Sequence, residues 1–119
     1  MARPMLVAGC FALALSCSAA LTGCSSQDAS ALARQACAHV ERGLAAEHEA
    51  SSATHARAVQ LENEAVNEVR AALPLAAVAA GEDTDWQALD ITLSESSRVP
   101  LPYLVGALKA QCASPSGDG

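Results

Sequence analysis

Apolar positions fall into two regimes along this chain. Residues 5 to 21, "MLVAGCFALALSCSAAL", carry no charge. Beyond Ser25 the apolar residues instead recur at helical spacing, separated by polar ones. Leu32, Ala36, Val40 and Leu44 repeat every four residues with Cys37 beside them, which predicts a first helix from about residue 31. Asp28 or Ser30 is its expected cap, with Ser25-x-x-Asp28 as a capping box. The Ser, Ser and Thr of "SSATHA", residues 51 to 56, favour a turn. A second helix is predicted over about 54 to 73, with Val59, Glu62, Val66, Val69 and Leu73 as its inner stripe. The simplest arrangement is an antiparallel hairpin, one continuous long helix being the alternative.

Pro74 is expected to kink or restart this helix, and Gly81 to cap the short apolar segment that follows. Thr84-x-x-Gln87 matches a capping box for a third helix whose apolar face is Trp86, Leu89 and Leu93. "SESS" ends it, and Val99-Pro100-Leu101-Pro102 reads as a stiff connector. Pro102 suits the first position of a last helix with Leu104, Val105, Leu108 and Cys112 on its inner face. The composition of "ASPSGDG" predicts a disordered tail. No strand-period alternation of useful length interrupts this pattern. The expectation is an all-α fold, a small bundle of three to four helices over residues 31–112, with a tail over 113–119.

Composition reinforces the helical reading and narrows function. Alanine recurs from end to end, and it has the best intrinsic helix propensity. The net charge of −6 disfavours contact with phosphate backbones or anionic headgroups. Phe11, Trp86 and Tyr103 are the only aromatic residues, too few for a base-stacking platform. Nucleic acid is therefore not an expected partner.

The N-terminal regime has its own logic. Met1 to Pro4 is short and positive, and the uncharged run follows, the outline of a secretory signal. At 17 residues the run is close to the roughly 18 of a membrane span, so its ending matters. Leu21-Thr22-Gly23-Cys24 is an apolar residue, a small residue, Gly and Cys. Here the chain resembles a bacterial lipoprotein precursor with its lipobox. That resemblance covers the first 24 residues. It implies a signal peptide over 1–23, cleavage between Gly23 and Cys24, and a diacylglyceryl group on the Cys24 thiol, often with an N-acyl chain such as palmitate. It further implies a short tether over 24–30 and a location on the extracytoplasmic face of the cell membrane, held by the lipid. Residues 73 to 100 also resemble small, Ala-rich lipoproteins of actinobacterial type without an assigned activity, which bring no functional residues with them.

The leader reading sorts the five cysteines. Cys10 and Cys17 leave with the signal peptide, Cys24 takes the lipid, and Cys37 and Cys112 remain. Outside the cytoplasm a leftover pair is expected to be oxidised, so a Cys37–Cys112 disulfide is predicted. The alternative, a redox or metal pair, lacks a Cys-x-x-Cys or zinc-site spacing.

Candidate chemistry is sparse. His48 and His55 lie seven apart, sharing a face if their helix is continuous. Two turns span about 10.5 Å, too far for both rings to reach one zinc from that spacing. They are weak metal candidates only, and no cofactor is expected. There is no Gly-x-Ser-x-Gly elbow and no glycine-rich phosphate loop, so an enzyme is not expected. Trp86 with the acidic turn at Asp83 and Asp85 is a candidate contact surface, though the spacing of Trp86 with Leu89 and Leu93 favours a core role. The expected function is a lipid-anchored, non-enzymatic envelope protein with a structural or protein-contact role. The alternative is an envelope metal or small-ligand binder using the His48/His55 region.

Overall fold

The computed structural model describes residues 26–113. Among these residues there are four α-helices, one short 3-10 turn and no strand. The lipobox, with Gly23 and Cys24, and the tail beyond Ala113 lie outside the described residues.

Helix α1 spans Ser26–Ala50, beginning earlier than the pattern predicts. Asp28 sits inside its first turn, where a carboxylate favours the positive end of the helix dipole. Two serines stop the helix. Ser51 Oγ donates to the His48 carbonyl at 2.6 Å, and Ser52 Oγ to that of Glu49 at 3.4 Å. These hydroxyls satisfy last-turn carbonyls that have no intrahelical partner. The chain then reverses over Ser51–Thr54, so the hairpin holds and the single long helix does not.

Helix α2 spans His55–Glu82 and continues through Pro74. The expected restart at that proline is therefore wrong. Pro74 and Arg70, whose carbonyl loses its donor, are both exposed, so the helix bears the missing bond on its wet side. Gly81 is likewise inside the helix and not its cap. The end comes at Asp83, whose N–H bonds to the Ala79 carbonyl.

The inner face of α2 also differs from the predicted one. Leu61, Ala65, Val69, Ala72, Ala76 and Ala79 are buried. Of the expected stripe only Val69 is buried. Val59 and Val66 are 43 and 42 % exposed, and Glu62 is exposed. The reason is the partner surface. The α1 side presents Ala29, Ala33, Ala36, Val40 and Gly43, all buried. Leu32, expected on that face, is only half-buried. Small side chains on both helices let the backbones approach closely. At Gly43 an added Cβ would lie 3.2 Å from the Ala65 carbonyl oxygen and 3.4 Å from Glu68 Cβ. A valine-based seam would hold the helices further apart.

The second half of the fold closes one end of this hairpin. Thr84–Trp86 form the 3-10 turn, and α3 follows over Gln87–Glu95. The cap is Asp83 and not the predicted Thr84. Asp83 Oδ1 accepts from the Asp85 N–H at 3.0 Å. Trp86, Leu89 and Leu93 are buried, as their spacing predicts. Ser96 Oγ and Ser97 Oγ donate to the Leu93 and Ser94 carbonyls and end α3. Helix α4 spans Leu101–Ala113 and buries Leu101 and Leu108, with Leu104, Val105 and Cys112 half-buried. Gln111 Nε2 donates to Thr92 Oγ1 at 2.8 Å, tying α4 to α3.

Cys37 and Cys112 form a disulfide, with their Cα atoms 5.5 Å apart. It fastens the last helix across the first. Among the described residues ten of the twenty buried apolar ones are alanine, so the core gains little per residue and depends more on this bond. The chain-entropy model assigns a 75-residue loop about 4.5 kcal/mol.

Two consequences follow for stability. Replacing Cys37 and Cys112 by serine is expected to cost roughly 2–5 kcal/mol in urea unfolding. The glycines should diverge. Gly43→Leu forces the hairpin apart and is expected to cost about 1–3 kcal/mol. Nothing lies within 4 Å of a Cβ at Gly106, and Gly106→Ala is expected to raise stability by about 0.4–1 kcal/mol. Equal midpoints for the two glycine variants would contradict the close seam.

Candidate functional site

Three places gather side chains capable of chemistry or contact. The first lies across the hairpin. His39, on α1, places Nδ1 2.6 Å from Glu68 Oε2 on α2, and Arg42 Nε is 3.3 Å from the same oxygen. Nδ1 must carry its proton here, because a carboxylate only accepts. The Arg42 NH2 nitrogen, 2.9 Å from Nδ1, then faces another donor, so the Glu68 bond is the real one. The hydrogen bond from His39, then Arg42, holds the Glu68 carboxyl below its ordinary 4.5 against the opposing effect of burial. Glu68 thus takes both His39 and Arg42, and the cluster pins the register of α1 on α2. Sequence reasoning passed over His39, although it lies three residues after Ala36 and four before Gly43, both on the inner face, which was a usable signal.

The second place is the seam between α1 and α4. Cys112 borders two clefts, of about 260 and 140 Å³. Trp86, Cys37 and Arg34 line the larger, and Val40, Leu44 and Leu108 the smaller. Trp86 is only 3 % exposed. It packs in the core, the role that its spacing with Leu89 and Leu93 favours. Its indole N–H has no acceptor among the described residues. Of the acidic pair, Asp83 spends a carboxylate oxygen on the turn, while Asp85 is exposed.

The third place is a groove of about 530 Å³ between α2 and the α3–α4 connection. Val69, Leu93 and Leu101 form its buried wall. Val66, Arg70 and Leu73 bring the outward side of α2 to its edge. Val66 and Val59 continue the apolar surface along that helix. Arg70 makes no ion pair among the described residues. This groove and the adjoining face of α2 form the best candidate contact surface, because apolar side chains stand open beside an available charge. The signal was present in the sequence as the stripe Val59–Val66–Leu73, assigned there to the core.

The remaining candidates do not come together. His48 lies in the last turn of α1 and His55 opens α2, both exposed, with the turn between them. The continuous helix that would have put them on one face is absent. Among the described residues no group of three His, Cys, Asp or Glu is arranged to hold a metal ion. No described helix is long and apolar enough to cross a membrane. No family model matches the chain, and neither a curated protein nor a solved structure matches it.

The Glu68 cluster gives a pH prediction. A carboxyl whose folded value is lowered adds stability above the unfolded value and loses it as pH falls through the folded one. Wild-type stability should therefore fall as pH drops below about 4.5, and Glu68→Gln should remove part of that decline. Urea midpoints measured from pH 7 to pH 3 check this. Parallel curves for the two proteins would contradict it.

Proposed function

We propose that this chain is a lipid-anchored helical protein of the bacterial cell envelope that works by contact and not by catalysis. The observation that carries the location is a pairing of two features. An apolar run ends in Leu21-Thr22-Gly23-Cys24, and the domain that follows is closed by a Cys37–Cys112 bond. Disulfides persist in oxidising compartments, which is where a lipobox would deliver the chain. Cleavage before Cys24 leaves six basic and thirteen acidic side chains, a surface that anionic headgroups repel. The lipid would then be the sole hold on the membrane. One acyl chain anchors marginally, and two or three anchor firmly.

The contact role draws on the groove beside α2. Its walls are apolar, Arg70 stands at its edge, and the exposed Val59 and Val66 extend it along the helix. The described core is half alanine and large side chains are few; Val78, Ile91 and Tyr103 are exposed elsewhere, while Val59 and Val66 share the face of α2 that adjoins the groove. A binding surface accounts for that placement.

Cells expressing the full chain and labelled with a fatty-acid analogue provide the test. Label is expected on the wild-type chain in the membrane fraction. Cys24→Ser should lose the label and retain the leader, giving a heavier band. Equal labelling of both proteins would overturn the anchor.

A further inference from the structure

The outward face of α2 has an internal symmetry that names its partner. Val59, Glu62, Val66, Arg70 and Leu73 are spaced by threes and fours, so they share one face. The first four are exposed and Leu73 is half-buried at the groove. Neither Glu62 nor Arg70 forms an ion pair among the described residues. The face is arranged about its middle residue. Glu62 precedes Val66 by four positions and Arg70 follows it by four, while Val59 precedes by seven and Leu73 follows by seven.

We propose that a second copy of this chain covers this face, with α2 packed on α2 in an antiparallel two-fold pair centred on Val66. In such a pair each residue meets the one equally far on the other side of the axis. Val66 meets Val66. Each Glu62 meets Arg70 of the second copy, so two ion pairs flank the centre. Val59 of each copy meets Leu73 of the other, beside the groove that Val69, Leu93 and Leu101 line. A parallel pair would set Glu62 against Glu62 and Arg70 against Arg70, which fixes the antiparallel sense. A foreign helix has no need for charges placed evenly about one point, whereas a self-pairing surface does. The inference rests on the contact role proposed above and is independent of the lipid anchor.

The test is a charge-swap cycle on the full-length chain, extracted in detergent and measured by native mass spectrometry across a concentration series. Wild type is expected to give dimer. Glu62→Arg and Arg70→Glu each place like charges opposite one another twice and should weaken the dimer by about tenfold. The double swap restores both pairs in reversed sense and should recover the wild-type dimer fraction. Val66→Glu should give monomer, while Val78→Glu, 51 % exposed and off this face, should leave the dimer intact. All four substituted positions are exposed, and unchanged circular dichroism identifies folded variants. A monomeric wild type would overturn the pairing, as would single swaps without effect or a double swap that fails to restore it. A chain that stays monomeric but needs Val66 to hold a different envelope protein would overturn self-pairing and leave the contact role standing.

Discussion

The close seam between α1 and α2 governs this structure. Gly43 sits so near Ala65 that even a methyl group is crowded there, and alanines run along the facing side of α2. Close approach gives good dispersion contact but little apolar area per residue. Two features supplement it. The His39–Glu68 bond fixes the register of the two helices, and the Cys37–Cys112 bond holds the remote α4 against α1. The small residues also decide what is left over. Once alanine fills the seam, the valines of α2 at 59 and 66 have no place inside.

That displacement links fold to function. In most amphipathic helices the largest apolar residues mark the buried face. On α2 the buried face is mostly alanine with Leu61 and Val69, while Val59 and Val66 lie away from it, so the helix is apolar on two sides. One side packs inside the chain. The other adjoins the groove beside α3, with Glu62 and Arg70 set evenly about Val66. The proposed contact would use that second side, and the proposed lipid at Cys24 would hold it at the membrane surface.

Much of the fold was legible in the sequence. The all-α class, the hairpin turn at the serines, the Trp86–Leu89–Leu93 face and the partnership of Cys37 with Cys112 all followed from periodicity, turn chemistry and cysteine arithmetic. The reading of α2 failed for a definite reason. A hydrophobicity pattern weights Val and Leu above Ala, while the packing of two close helices rewards the smallest side chain. Pro74 misled because a lost hydrogen bond matters less where the free carbonyl faces water. The His39–Glu68 contact joins residues 29 apart and was visible only once the two helices were laid side by side.

The central claim is that the face of α2 carrying Ala65, Val69 and Ala72, and not the face of Val59 and Val66, forms the seam with Gly43 and the alanines of α1. Nuclear Overhauser contacts in solution test it directly, since they report protons within about 5 Å and a Gly43 Cβ would lie 3.5 Å from a Val69 methyl carbon. The structure requires a cross-peak between the Gly43 α-protons and a Val69 methyl, and none between Val66 methyls and α1 of the same chain. Cross-peaks joining Val59 or Val66 to α1 within one molecule would reverse the two faces of α2 and contradict the account.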